Sequence, residues 1–200
     1  MGTSGMTAEE LQQLLERGRQ GEETACAALY GHFSPLLMRL CLGLLGDVQD
    51  AEEVTQDAFV YALRNLKRFD PARSAFPSWL YTITLSRCRN KRRRKLLVQL
   101  PLELLSLEAP RQQERLVESV LARRGVREQV WNAIQALRPH LREAVALRYL
   151  GEMRYKEIGA ALGCNPKTAE SRVRLGLDEL RQSLRARGAE AELDWVDQWA

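Results

Sequence analysis

The sequence predicts an all-α protein, and three observations carry that prediction. Leu, Ala, Arg and Glu, all good helix formers, dominate the chain. Aromatic residues make up only 6%, and strand-like runs of Val, Ile and Thr are nearly absent. Apolar residues recur at three- and four-residue spacing through most of the length. At 200 residues and 45% hydrophobic content, the chain is long enough for one domain or two small ones.

Taken in order, residues 1–6 (MGTSG and Met6) form a disordered start or a cloning remnant and are left out of fold reasoning. Thr7 opens a first helix, with Glu9 and Glu10 in its first turn and Leu11, Leu14 and Leu15 as its apolar stripe; Gly18 and Gly21 end it. A second helix over 22–33 turns Ala25, Ala28, Leu29 and Phe33 inward. Pro35 restarts the helix, Leu36, Leu37, Leu40 and Leu44 continue an apolar face, and Gly46-Asp47 breaks it. The next helix, over 50–66, buries Ala51, Val54, Ala58, Ala62 and Leu66 with Phe59 alongside, leaving Asp50, Glu53, Gln56 and Asp57 outside. Phe69-Asp70-Pro71 is a turn, and 70–76 (DPARSAF) is a polar, irregular loop. Pro77 starts a helix with Trp79, Leu80 and Ile83 inward. On an amphipathic helix such a tryptophan is more often core than a stacking platform.

From 96 to 125 the apolar period is lost and Pro101 and Pro110 intervene, so this stretch is expected to be a linker, with a short helix over 111–124. The two small helical domains it joins cover 7–95 and 126–187. The second begins with a helix carrying Val130, Trp131, Ile134 and Leu137, broken by Pro139, and one carrying Leu141, Val145, Leu147 and Leu150. Two short helices follow. The first covers 155–162, with Ile158, Ala161 and Leu162 on its buried side. Gly163 supplies the turn, Asn165 the N-cap and Pro166 the first position of the next helix. That helix buries Ala169, Val173, Leu177, Leu180 and Leu184, and its other faces carry Lys167, Thr168, Ser171, Arg172 and Arg174. This is the plan of a helix-turn-helix whose second helix reads base edges in the major groove; two amphipathic helices around a glycine also occur in ordinary bundles. The last segment, 188–200, is an acidic tail with Trp195 and Trp199, either a frayed end or a segment that folds onto a basic surface.

Charge is unevenly placed. The net charge is only +4, yet 87–95 (RCRNKRRRK) holds seven basic residues and no acid, while 47–57 (DVQDAEEVTQD) holds five acids and no base. Such blocks point to two partners of opposite sign unless both are simply solvated faces. An irregular loop followed by a basic helix suits single-stranded nucleic acid. Cys26, Cys41, Cys88 and Cys164 are widely spaced in sequence, make no C-x-x-C pair and read as reduced cytosolic thiols. Neither a membrane-span-length apolar run nor a signal peptide is expected. No P-loop, H-E-x-x-H, nucleophile or metal motif is found, so no catalytic residue, metal or cofactor is predicted.

Two segments together carry a family resemblance. DAEEVTQDAF (50–59) resembles the D-A-E-D-x-x-Q-E-x-F signature of sigma factors, and downstream FPSWLYTI resembles their F-x-x-W-L-Y-x-I segment. LREAVALRYLGEMRYKEIGAALGCNPKTAESRV resembles their C-terminal R-E-x-x-x-L-R-Y-x-E-G-x-S-Y-x-E-I-A-x-x-L-G-x-x-x-x-T-V-x-S-R-L. With only a linker between the halves, the chain resembles the extracytoplasmic-function (ECF) group of sigma-70 family RNA polymerase sigma factors. The resemblance implies a region 2-like domain that binds core RNA polymerase at the β′ clamp helices through Asp50, Glu53, Gln56 and Asp57. It implies capture of an opened minus-ten element by Asp70, Arg73, Ser74, Phe76, Ser86, Arg87, Asn90, Lys91 and Arg94. It further implies a region 4-like domain resting on the β flap and reading the duplex minus-thirty-five element through Lys167, Thr168, Ser171, Arg172 and Arg174. The linker resembles the segment threaded through the polymerase near its active site and RNA exit channel. The function implied is promoter recognition, promoter melting and transcription initiation in the cytoplasm, without chemistry of its own or membrane insertion, with an anti-sigma factor as a further partner. The sequence departs from the pattern at Ile83-Thr84-Leu85-Ser86, where I-A-R-N is common, at Ala169, where valine is usual, and at Leu175-Gly176, where Arg-Ala is frequent. Two rivals explain less: an ordinary helix-turn-helix regulator leaves DAEEVTQDAF unaccounted for, and a nucleic-acid enzyme lacks a facing carboxylate or metal constellation.

Overall fold

A computed structural model describes residues 6–99 and 128–187. The opening 1–5, most of the expected linker with its helix over 111–124, and the acidic tail lie outside the described residues. The described chain forms eight α-helices: α1 (Ala8–Arg19), α2 (Glu23–Leu45), α3 (Val48–Arg64), α4 (Phe76–Gln99), α5 (Glu128–Ala136), α6 (Pro139–Tyr149), α7 (Tyr155–Leu162) and α8 (Pro166–Ala186). A 3-10 turn, Leu66–Arg68, follows α3. The all-α expectation holds, with no strand among the described residues.

Most helix ends follow local chemistry. Thr7 caps α1 in a capping box: its hydroxyl accepts from the Glu10 N–H, and the Glu10 carboxylate accepts from the Thr7 N–H at 2.7 Å. Asp47 caps α3 by accepting from the Asp50 N–H at 2.8 Å, and Asn165 caps α8 by accepting from the Thr168 N–H at 2.7 Å. Gly46 and Gly163 end α2 and α7 in the left-handed region, with φ of 76° and 66°.

One expected break is absent. α2 runs unbroken for 23 residues through Pro35, which the sequence suggests as a restart. Proline removes one hydrogen bond and crowds the carbonyl four residues back. That carbonyl belongs to Gly31, which is exposed, and the turns on either side bury Leu29, Phe33, Leu37 and Leu40. Burial at about 1.5–3 kcal/mol per large apolar side chain outweighs the local cost. α2 also corrects the expectation that no apolar run approaches span length: with a windowed hydropathy of 1.3 it is long and apolar enough to cross a bilayer by length and composition alone. Here it is the central helix, contacted by α1, α3, α4, α5 and α6.

The two helical units, α1–α4 and α5–α8, pack on each other and share one continuous apolar core. α5 and α6 lie on α2, and α7 contacts α4. Phe33, Phe69, Phe76 and Trp79 form an aromatic cluster under the 70–75 loop, with ring centroids 5.2–5.8 Å apart along Phe33–Phe76, Phe69–Phe76, Phe69–Trp79 and Phe76–Trp79. Cys41 and Cys88, far apart in sequence, meet inside the core with their sulfurs 3.8 Å apart as free thiols.

Two glycines permit close approaches. A Cβ on Gly159 would lie 2.7 Å from the Cys164 carbonyl oxygen, so only glycine lets α7 pass so near the turn into α8. A Cβ on Gly176 would lie 2.5 Å from Val145 Cγ2, so this glycine lets α8 settle on α6. The helix cost of glycine, up to about 1 kcal/mol, is offset by that packing. Gly31, in contrast, faces open space. We expect Gly159→Ala to lower the unfolding free energy by about 1–3 kcal/mol and Gly31→Ala to raise it by about 0.5–1 kcal/mol, read from denaturant unfolding of the two variants.

Candidate nucleic-acid and polymerase interface

The acidic block and the basic block, expected to serve separate partners, face each other across the α3–α4 contact. Lys91 Nζ lies 2.5 Å from Glu53 Oε2 and 3.3 Å from Asp50 Oδ1, and Lys95 Nζ lies 2.9 Å from Asp50 Oδ2. Burial raises the Asp50 carboxyl, but the hydrogen bonds from Lys95 and Lys91 outweigh it and hold it below the ordinary carboxylate range. The Lys91 ammonium is raised, chiefly by its hydrogen bond to Glu53. Asp50 is therefore a half-buried strut between α3 and α4, and Glu53 is shared. Gln56 and Asp57 remain exposed on α3, and the same face continues into Val60 and Tyr61, which are 47% and 42% exposed. Composition drew attention to the acids; the exposed Val60 and Tyr61 were missed, and their position one turn beyond Asp57 on the same face was the available signal.

The 70–75 loop stands at the solvent side of the aromatic cluster. Asp70 Oδ1 accepts from the Ala72 N–H at 2.9 Å, which fixes the turn. Asp70 and Arg73 are exposed and Ser74 is half-buried. Phe76 is only 3% exposed, packed on Phe33 and Phe69, so it props the loop from beneath and presents no ring to a ligand. Arg19 of α1, which sequence reasoning passed over, anchors the approach to the loop by donating to the carbonyls of Phe69 at 2.8 Å and Leu66 at 3.4 Å. Along α4, Ser86, Asn90, Arg93 and Arg94 are exposed, and Arg87 stacks on Tyr61 at 4.8 Å from the ring centroid.

In the helix-turn-helix, the apolar stripe of α8 is buried as its spacing predicts: Ala169, Val173, Leu177, Leu180 and Leu184. Lys167 and Arg174 are exposed, and Thr168, Ser171 and Arg172 are half-buried at the edge of the same face. The unit is tied to α6 by Arg148, which donates to the Met153 carbonyl at 3.1 Å and stacks over Tyr155 at 5.0 Å. Helix, turn and helix thus form a braced wedge whose N-terminal α8 side chains project outward, the geometry that fits a major groove.

Comparison with known proteins meets this geometry at both ends. Residues 29–96 match the Sigma-70 region 2 family, and residues 127–180 match the Sigma-70, region 4 family. The chain is 27% identical over 185 residues to the ECF RNA polymerase sigma factor SigW of Bacillus subtilis, covering 88% of this chain and 97% of that one. It is 29% identical over 196 residues to the RNA polymerase sigma-H factor of Pseudomonas aeruginosa, covering 90% and 97%. In fold it is similar to CnrH in complex with the cytosolic domain of CnrY, with a TM-score of 0.65 at 24% identity over 86% of this chain and 96% of that one. It is also similar in fold to the sigma factor RpoE of Bartonella quintana bound to the anti-sigma factor NepR, with a TM-score of 0.64 at 21% identity over 80% and 96%. The chain belongs to the sigma-70 family of RNA polymerase sigma factors, in its ECF group, and acts in transcription initiation.

The Asp50 pairing has a pH consequence. A carboxyl held below its unfolded value contributes stability that is present above about pH 4 and lost as pH falls through the folded value. We expect Asp50→Asn to lower the unfolding free energy at pH 7 by about 1–2 kcal/mol, between an exposed and a buried pair. The difference from the parent protein should shrink to zero as denaturation is repeated at successively lower pH.

Proposed function

We propose that this chain binds core RNA polymerase and directs it to promoters by dividing the work between its two helical units. The observation that carries this reading is the placement of the α8 basic and hydroxyl side chains on the outer edge of a braced helix-turn-helix, opposite a fully buried stripe. In this reading Lys167, Thr168, Ser171, Arg172 and Arg174 read the duplex minus-thirty-five element. An arginine paired bidentate with guanine supplies about 1–3 kcal/mol of discrimination. Thr168 and Ser171 offer hydroxyls to base edges or phosphates.

The first unit opens the minus-ten element. Unstacking a base costs a few kcal/mol, and this chain offsets it in two ways. The exposed Asp70, Arg73 and Ser74 offer polar groups to an unpaired base at the loop, while Ser86, Arg87, Asn90, Lys91 and Arg94 run along α4 beside the displaced backbone. Phe76 holds the loop in place through the aromatic cluster. Gln56 and Asp57, with Glu53 and Asp50 behind them, present the polymerase-docking face to the β′ clamp helices, and the helix-turn-helix unit rests on the β flap. The polymerase supplies all phosphoryl-transfer chemistry, and the chain acts as a dissociable, non-catalytic subunit in the cytoplasm. An anti-sigma factor is a further partner in this reading, supported by the fold shared with RpoE in its anti-sigma complex.

The decisive experiment is transcription from a pooled promoter library by core RNA polymerase, with and without this protein. Discrete start sites that depend on it are expected; a core enzyme that neither binds it nor starts anywhere new would overturn the reading. Arg172→Ala should weaken binding to the cognate upstream duplex by roughly 5- to 100-fold, measured by fluorescence anisotropy. Reversing charge at Glu53 and Asp57 together should abolish capture of core polymerase while the helical circular-dichroism signal is kept. Asp57→Lys alone, which breaks no ion pair within the described residues, should weaken it more than tenfold.

A further inference from the structure

We propose that the chain carries a binding site for a small organic cation, an amine with an apolar body, in a cavity between α1, α2, the start of α4 and the turn from α6 to α7. The site stands on geometry and charge and does not depend on the promoter reading.

The cavity holds about 300 Å³. An apolar cavity of about 150 Å³ already takes up benzene, so there is room for a ring and a short arm. Leu11 of α1, Phe33 and Leu36 of α2, and Met153 beyond the turn supply apolar lining. Tyr81 of α4, Glu152 and Glu157 supply polar lining. No lysine or arginine lines the cavity, and its two carboxylate side chains carry charge of one sign. Hydrocarbon surface with a few converging polar groups is the make-up of a small-molecule site. The sign of the charge selects a cation and repels an anion.

Two of the polar groups lack partners. Tyr81 is 4% exposed, yet its hydroxyl makes no hydrogen bond to any described residue. Burial pushes this hydroxyl up to about 12; the nearby Arg39 charge opposes the shift and the Glu152 charge adds to it. At neutral pH the phenol therefore keeps its proton and can both donate and accept. A buried hydroxyl left without a partner is costly, and a ligand in the cavity removes that cost. Glu152 makes no salt bridge or hydrogen bond within the described residues. Glu157 differs: one oxygen accepts from the Ser78 hydroxyl at 2.5 Å and the other from the Arg154 N–H at 2.8 Å, so its carboxylate is fixed in place.

The backbone at Glu152 adds an independent observation. Among the described residues, Glu152 alone combines a side chain with a positive φ, 53°. Residues with a Cβ rarely adopt this conformation. The sigma factor pattern has E-G at this turn, with glycine second; here the order is Gly151-Glu152. Gly151 is required where it stands, because a Cβ there would lie 2.9 Å from the Leu147 carbonyl oxygen. The left-handed position beside it carries a carboxylate that the turn itself does not call for. Strain of this kind clusters at ligand sites. In the proposed complex the ammonium donates to the Glu152 carboxylate and the Tyr81 hydroxyl oxygen, and the hydrocarbon part covers Phe33, Leu36 and Met153.

The test titrates phenethylamine into the full chain labelled with carbon-13 at its methionine methyl groups. Met6 and Met153 line the cavity, whereas Met38 does not and lies against Thr55. Saturable shifts are expected at Met6 and Met153 but not at Met38, with a Kd of roughly 0.1–1 mM for a ligand of about nine heavy atoms. Phenethyl alcohol, the neutral counterpart, should bind about fivefold more weakly or worse, and hydrocinnamate should not bind. Glu152→Gly puts glycine at the left-handed position, so the variant should unfold no more easily than the parent. It should nonetheless bind the amine about fivefold more weakly or worse. Tyr81→Phe keeps the ring and should weaken binding about threefold or more. Met6 and Met153 methyls that do not move, equal binding of amine and alcohol, or undiminished binding by Glu152→Gly would overturn the site. Nα-acetyl-lysine methylamide, standing for a lysine of a protein partner, should shift neither methyl; affinity equal to that of phenethylamine would overturn the small-molecule assignment. Transcription from the promoter library tests the promoter reading separately and leaves this result standing.

Discussion

A helix of 23 residues that buries Leu29 and Phe33 along one side and is apolar around nearly its whole circumference from Leu36 to Leu45 has to be covered by other helices, and much of this fold follows from covering α2. A helix hydrophobic all round belongs in the middle of a protein. Leu29, Phe33, Leu37, Leu40 and Leu44 are all 3% exposed or less. α1, α3 and α4, all from the same N-terminal unit, cover part of the surface. The remainder, toward the C-terminal end at Gly43, is covered by α5 and α6 from the second unit. The same demand explains why Pro35 sits inside the helix rather than ending it.

That constraint also positions the candidate functional faces. α3 and α4 lie side by side on α2, which brings the acidic and basic blocks within ion-pairing distance. Their mutual neutralisation leaves a smaller exposed set on each helix: Gln56 and Asp57 on one, Ser86, Asn90, Arg93 and Arg94 on the other. The loop between them is carried on an aromatic cluster and tied to α1 by Arg19, so its polar tip is held on a rigid base. In the promoter capture proposed for this loop, rigid support of this kind lowers the ordering entropy lost on contact with an unpaired base.

The packing of α5 and α6 on α2 connects the two units energetically. A surface that accepts another helix through two glycines is complementary rather than incidental, since a side chain larger than hydrogen at Gly43 or Gly46 would collide with Leu150 or Gln135.

The sequence by itself determined what depends on neighbours in the chain. The helix stripes, the caps at Thr7, Asp47 and Asn165, the turns at Gly46 and Gly163, and the helix-turn-helix with its outward Lys167, Arg172 and Arg174 are all set by interactions a few residues long, and periodicity exposes them. The resemblance in 50–59 and 141–173 carried the family. Only the tertiary structure decided the features that depend on distant partners. Phe76 faces the core because Phe33 and Phe69 arrive there, Asp50 is a strut because Lys91 and Lys95 come alongside, and Gly159 and Gly176 are close-approach sites because other elements cross them. The docking of α5 and α6 on α2 belongs to the same group: no local pattern records which apolar faces will meet, since burial energy depends on area and shape, and those exist only once the chain has folded.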